Sequence, residues 1–183
     1  VTYAYVVIKD NNIIAENSGV VPKEEAKGAN VAGELAAVLH ALEKVAELGF
    51  HNIDYYYDYE GIKKWLTHEW KNEQPSTAWY MDKIRDVIYK NGLNLIYHHV
   101  KSHSMTVSEK DRIDHPQEYW NDYVDKACKK AVEGPKKSGS DTTSGATSVN
   151  VSNENGVVKK PVPSSGNNVS NKKEKDQGLM VIR

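Results

Sequence analysis

A single cysteine, Cys128, excludes an internal disulfide and any cysteine-built zinc cluster. No apolar run approaches the roughly 18 residues needed to cross a membrane as a helix. No charged-then-apolar stretch marks a secretory signal. Aromatic residues are missing from Gly134 onward, so all four Trp and all eleven Tyr lie in residues 1–133, and only there can a core form. A strong positive charge is also lacking. The net charge of −1 divides into +4 for residues 134–183 and −5 for residues 1–133. The aromatic-rich part is therefore no generic polyanion sponge, and nucleic-acid binding there requires local lysine patches or bound cations. These absences describe a soluble, cytoplasmic protein with one domain over residues 1–133. Residues 134–183 read as a disordered Ser/Asn/Lys-rich tail, too poor in apolar surface to offset its ordering entropy. The closing Leu179-Met180-Val181-Ile182-Arg183 is more apolar, and reads either as a short docking segment or as the start of something longer.

What is present is an alternation of strand and helix signals. Residues 3–9 are rich in aromatic and β-branched types and predict a strand. Asp10-Asn11-Asn12 predicts a turn, and residues 13–21 predict a second strand closed by Pro22. Asn30 offers an N-cap to a helix in which Leu35, Val38, Leu39, Leu42 and Val45 recur at helical spacing, with Gly49 as its stop. A short strand follows over 53–57, then helical spacing from 61 to 70. A helix capped by Ser76 runs to Lys90 and ends at Asn91-Gly92. A strand over 93–100, a polar loop over 102–116 and a last helix over 117–132 complete the domain. The order β-β-α-β-α-α-β-loop-α predicts an α/β fold with one mixed sheet flanked by helices.

Three acidic residues fall where strands and helices meet. Glu34 is placed in the first turn of the first helix, Asp58 at the end of the 53–57 strand, and Asp125 in the last helix beside a stripe of Tyr123, Ala127 and Ala131. Each has a plain reading: Glu34 complementing a helix dipole, Asp58 as an N-cap, Asp125 paired with Lys129 four residues on. Together they have another. Sites in open sheets form beyond strand ends, and converging carboxylates repel unless a cation lies between them. Hard divalent ions such as Mg²⁺ prefer carboxylate oxygens.

Five segments, in order, carry a family resemblance. Asn30-Val31-Ala32-Gly33-Glu34-Leu35 resembles a helix start of bacterial ribonuclease H proteins, in the branch often found with a viroplasmin-type hybrid-binding domain. Tyr57-Asp58-Tyr59-Glu60-Gly61-Ile62-Lys63-Lys64-Trp65 is similar to its second acidic segment, and Glu69-Trp70-Lys71 with Thr77 and Tyr80 to the continuation. Val100-Lys101-Ser102-His103 resembles its strand-end Val-Lys-Gly/Ala-His. Asn121-Asp122-Tyr123-Val124-Asp125 resembles Asn-x-x-x-Asp. The resemblance implies a metal-dependent endonuclease that hydrolyses the RNA strand of RNA–DNA hybrids. Glu34, Asp58 and Asp125 would be ligands of two Mg²⁺ ions (Mn²⁺ as substitute), and Asp122 competes with Asp125 for that role. His103 would assist product departure or proton transfer. Asn30, Lys63, Lys101 and Asn121 would serve substrate binding, with Lys64, Lys71, Trp65, Trp70, Trp79 and Tyr80 within reach of the hybrid; core packing is the competing reading for the aromatic residues. His98 and His99, adjacent on a strand, point to opposite faces and do not make a zinc site.

The pattern also breaks. The family carries an Asp-Gly-Ser/Thr strand before the hairpin, and none occurs here. Residues 3–8 align with the second family strand, and Asp10 is the single early aspartate. The reading is of an N-terminally truncated ribonuclease H-like domain whose first, central strand is missing. Such a chain is expected to be inactive and to fold poorly alone, with two sheet edges exposed. A circular permutation is disfavoured because the tail offers no Asp-Gly strand. A non-catalytic nucleic-acid-binding module on the same scaffold is the alternative, and a purely structural domain the third reading. Neither a membrane nor an obligate protein partner is expected.

Overall fold

The computed structural model describes residues 1–28, 30–101, 107–133 and 177–182. Strands β1 (Thr2–Lys9) and β2 (Asn12–Val20) form the expected antiparallel hairpin. Asp10 and Asn11 at its tip have φ of 51° and 59°. Two successive left-handed residues match the right-handed twist of a hairpin, and Asp and Asn tolerate them better than most side chains.

The sheet order is β2-β1-β5-β3-β4, with β3 (Asn52–Tyr57), β4 (Asn94–His99) and β5 (Gln177–Ile182). β5 runs antiparallel to β1 and parallel to β3, and β3 runs parallel to β4. This corrects three expectations. The end of the tail is a strand, as a docking segment would be and a disordered one would not. The central place between β1 and β3 is filled. The edges expected to lie exposed are β-paired. The segment suits the place: Leu179-Met180-Val181-Ile182 is apolar and partly β-branched, as a strand between two helical layers requires. Met180 and Ile182 are 0% and 1% exposed. The two flanking backbones offer hydrogen-bonding groups that only another strand can satisfy. The rest of the tail, 134–176, lies outside the described residues.

Helices cover both faces. On one lie α1 (Asn30–Glu47), α2 (Glu60–Leu66) and α3 (Pro75–Asn91); on the other lies α5 (Pro116–Glu133). A short α4 (Asp111–Asp114) interrupts the predicted polar loop. β1 explains the layering by itself: Tyr5 and Val7 enter the core under α1, whereas Ala4, Val6 and Ile8 enter the core under α5. Helix α1 buries Ala32, Ala36, Ala37 and Ala41 besides its predicted Leu and Val stripe, because it packs against the sheet and against α3. The small alanines permit both approaches.

Some boundaries differ from the sequence reading. α2 stops at Leu66 rather than Trp70, since Thr67 Oγ1 donates back to Lys63 O at 3.0 Å and His68 turns left-handed at φ 60°. α3 begins at Pro75 with Gln74 as the cap residue, two residues before the predicted Ser76 cap; proline suits the first helical position because its missing N–H would be unpaired there. Gly92 ends it in the left-handed region at φ 59°. In α5 the buried seam is Trp120 and Val124, with Tyr123, Ala127 and Cys128 beside it, not the predicted line of Tyr123, Ala127 and Ala131.

Candidate functional site

One end of the sheet collects the acidic residues. β1 starts at this end, and β3, β4 and β5 finish here, as their pairing directions require. Asp10 therefore stands at the opposite end, on the exposed hairpin tip, and cannot join Asp58.

Asp58 follows β3 directly. Its plain reading as a helix cap does not hold: the cap residue of α2 is Tyr59, and no side chain caps that helix. Glu34 is the fifth residue of α1, beyond its first turn, where complementing the helix dipole has little force. Gly33 next to it lies so close to the start of β1 that a Cβ there would collide with Thr2 O and come within 3.1 Å of Val1 Cγ1. This close approach holds the first turns of α1 against the sheet end.

The charges of Glu34 and Asp58 both act on Cys128. Its thiol is pushed up to about 11, first by burial, then by the charge of Glu34 and, more weakly, by Asp58, with a hydrogen bond to Thr2 opposing them. Tyr55, buried in β3, has its hydroxyl held well above its ordinary range by burial first and then by Glu34, with Asp58 the weakest contributor. That hydroxyl finds no hydrogen-bond partner. Glu34 and Asp58, 24 positions apart in sequence, thus act on the same two groups, one on each face of the sheet. Asp125 lies one helical turn before Cys128. It accepts a hydrogen bond from Lys129 Nζ at 2.7 Å, so its plain ion-pair reading holds. Asp122 makes the same kind of pair with Lys126 at 2.6 Å.

A direct check follows from the thiol. At pH 8 Cys128 is expected to alkylate roughly 100-fold more slowly than an unperturbed thiol, because only the thiolate reacts. Two negative charges disfavour a third, so Glu34→Gln should lower the thiol pKa and speed alkylation, and Asp58→Asn should do so to a smaller degree. An unchanged pH–rate profile in Glu34→Gln would separate Glu34 from Cys128.

The remaining predicted residues are scattered more widely. Lys63 is ion-paired with Glu69, which also accepts from Thr67 Oγ1 at 2.8 Å. Lys64 pairs with Glu60 at 2.7 Å and lies 4.5 Å from the Trp70 ring centroid. Lys101 is exposed just after β4, at the Asp58 end. Asn121 has a buried Oδ1 without a partner. His103 and the side chain of Asn30 lie outside the described residues. His98 and His99 do point apart: His98 Nε2 meets Asp54 Oδ1 at 2.7 Å and stacks on Tyr56, whereas His99 lies beside Tyr57 and meets Asp58 O at 3.2 Å. Tyr80 is 1% exposed and its hydroxyl donates to Glu25 at 3.0 Å, so it serves the core and cannot reach a ligand. Trp65 also packs against the core, as its helical position suggested.

Sequence reasoning missed a hollow of about 590 Å³ beside this end, lined by Val31, Tyr59, Trp65, Trp70, Asn72, Gln74 and Thr77 among others. Asn72 Oδ1 accepts from Thr77 Oγ1 at 2.5 Å, while its buried Nδ2 has no partner. The hollow thus offers exposed indole surface from Trp70, with the unpaired Asn72 amide buried in its wall. The polar run from Lys71 to Gln74 between two helices was the available signal, but its composition reads as an ordinary loop.

Among the described residues, no three His, Cys, Asp or Glu side chains gather closely enough to hold an ion. The strand next to β3 in the sheet, Gln177–Ile182, carries no acidic side chain. The carboxylates present therefore fall short of a metal cage.

Comparison with known proteins adds a family and a fold. The family described as "Reverse transcriptase-like" matches residues 6–109, which takes in Glu34 and Asp58 and ends before Asp125. RNase H1 from the halophilic archaeon Halobacterium salinarum superposes with a TM-score of 0.51 at 18% identity, covering 72% of this chain and 85% of that one. The N-terminal RNase H domain of a Mycobacterium tuberculosis protein gives 0.55 at 15% identity, covering 72% and 81%. A ribonuclease H domain from Desulfitobacterium hafniense is 30% identical, covering 79% and 87%, with a TM-score of 0.30. No curated protein matches. The first two share the mixed sheet with flanking helices.

Proposed function

Because this chain belongs to the reverse transcriptase-like, ribonuclease H-type family, whose activity at the family level is nucleolytic attack on RNA–DNA hybrids, we propose that it engages RNA–DNA hybrids at the acidic end of its sheet and cleaves them weakly or not at all. The observation that carries this reading is geometric: Asp58 follows β3 at the sheet end where β1 begins, Gly33 beside Glu34 abuts Thr2 at that same end, and Thr2 hydrogen-bonds Cys128, one turn from Asp125. It supports an acidic centre assembled from α1, β3 and α5. The hollow beside it supplies indole surface on which sugars and bases can rest. Lys101 adds positive charge at the same end, and Lys71 lines the hollow.

Divalent ions, Mg²⁺ or Mn²⁺, enter this reading as counter-ions that relieve repulsion between the carboxylates and the phosphates. They are not residents of a finished cage. In the family's reaction they activate water and stabilise the leaving oxygen. Here the central strand brings no carboxylate to Asp58, and hydrolysis by this chain is accordingly expected at background.

The test is hybrid binding, followed by fluorescence anisotropy at low salt, with chelator and with millimolar Mg²⁺. In chelator, Asp58→Asn should tighten binding roughly 3–10-fold, since one like charge near a phosphate costs on the order of 1 kcal/mol at intermediate dielectric. Mg²⁺ should tighten wild-type binding and help Asp58→Asn less. If the wild-type chain has no hybrid affinity at any salt concentration, or if Asp58→Asn leaves affinity unchanged, the acidic end does not face the substrate. Robust Mg²⁺-dependent cleavage by the wild-type chain would overturn the expectation of inactivity alone.

A further inference from the structure

The most interior strand of the sheet is delivered last along the chain. β5 pairs with β1 over Tyr5–Ile8 and with β3 over Asn52–Tyr56. Its Met180 and Ile182 belong to the same core as Tyr5, Val7 and Leu35. Yet β5 follows α5 only after residues 134–176, whereas β1 and β2 are joined by two residues and β3 and α2 by two. A connection of 43 residues can reach about 150 Å when extended, several times the width of a small domain. Removed from its place, β5 would leave β1 and β3 as two facing rows of unpaired backbone groups about two strand spacings apart.

We propose that the groove between β1 and β3 is a strand-acceptor site, and that it takes β5 from a second copy of this chain as readily in structure as it takes its own. The groove asks for a six-residue strand, antiparallel to β1 and parallel to β3, with apolar side chains at the positions of Met180 and Ile182. Every other copy carries that strand on a connection long enough to reach. Closure within one chain is favoured by an effective concentration on the order of millimolar. Exchange therefore becomes visible when copies are concentrated or when β5 is released. The exchanged pair is reciprocal: each copy's β5 then lies beside the other copy's β3, next to Asp58. This inference stands apart from the hybrid-binding reading, since it needs neither substrate nor metal.

The full chain is taken through a mild urea cycle at about 10 µM and at about 1 mM, the first far below that effective value and the second comparable to it. Both samples are then diluted and sized by light scattering. A dimer with the circular dichroism of the monomer is expected after the concentrated cycle, and monomer after the dilute one. The full-chain variant Met180→Asp, which places a charge at a position 0% exposed, should form no such dimer. Monomer alone from both wild-type samples, or a dimer indifferent to Met180→Asp, overturns the proposal. If Met180→Asp fails to fold, amide exchange on the wild-type chain decides. Amides of β5 that exchange by a local opening, before those of β1 and β3, support an exchangeable strand; exchange of all three in one global step overturns it.

Discussion

Replacing Gly33 with valine should lower folding stability by about 3 kcal/mol, the upper range for overpacking a close contact, and should displace Glu34. The helix interior would otherwise welcome the loss of a glycine, with a gain of roughly 1 kcal/mol for alanine. Two facts reverse the sign here. The atom that a Cβ would strike is the backbone oxygen of Thr2, which cannot swing aside as a side chain can, and Val1 Cγ1 would be 3.1 Å away. α1 must then separate from the start of β1. Thr2 is also the residue that hydrogen-bonds Cys128, so the damage reaches the acidic end directly. A denaturant melt measures the stability loss, and the alkylation rate of Cys128 measures the movement of Glu34: that charge raises the thiol more than the Thr2 hydrogen bond lowers it, so with both weakened the thiol should titrate lower. Gly33→Ala should show the same direction with a smaller size. A valine variant as stable as wild type would show that α1 and β1 do not pack as described.

Trp120→Ala should cost about 3–5 kcal/mol, the usual range for emptying a large aromatic site in a core. That is a large share of the 5–15 kcal/mol that typically holds a domain together. Trp120 is 1% exposed and lies in the smaller core with Ala4, Val6, Ile8, Tyr56, Val100 and Val124. Tyr119 and Tyr123 meet it edge-on, with centroids 5.0 and 5.5 Å away. Arg112 of α4 rests 5.2 Å from its ring centroid while donating to Asn11 O at 2.8 Å. One side chain thus ties α5, α4 and the hairpin tip to the sheet. Its Nε1 has no hydrogen-bond partner, which makes a sharper comparison available. Trp120→Phe forfeits volume and no hydrogen bond, and should cost clearly less than alanine. Equal losses for the two variants would mean that the indole nitrogen, not the ring's bulk, carries the site. Thermal and urea melts of the three proteins decide between them.

Much of the fold was legible because it rests on local rules. The hairpin turn at Asp10-Asn11 needs left-handed backbone, and those residue types accept it. The stripe Leu35, Val38, Leu39, Leu42, Val45 has the period of one helix face, and that face is buried. The opposite pointing of His98 and His99 follows from the pleat alone. The candidate site was legible in part. Asp58 after a strand and Glu34 in a helix were found from the sequence, and the charges of both reach Cys128. Whether Glu34 lay within the first helical turn depended on where α1 begins, a boundary that neither propensity nor period sets to one residue.

The central strand lay beyond such reasoning. A six-residue apolar segment at the end of a polar stretch has no local partner, and its strand character exists only because β1 and β3 leave a place between them with hydrogen-bonding groups on both sides. The hollow around Asn72 was equally hidden, since a concavity belongs to several elements at once. By itself, then, the sequence determined the long helices, the hairpin and the identity of the acidic residues, because each follows from backbone preferences and periodicity within a few neighbours. Tertiary structure alone decided what fills the middle of the sheet and which charges share one end, because pairing and electrostatics act through space between residues that are far apart along the chain.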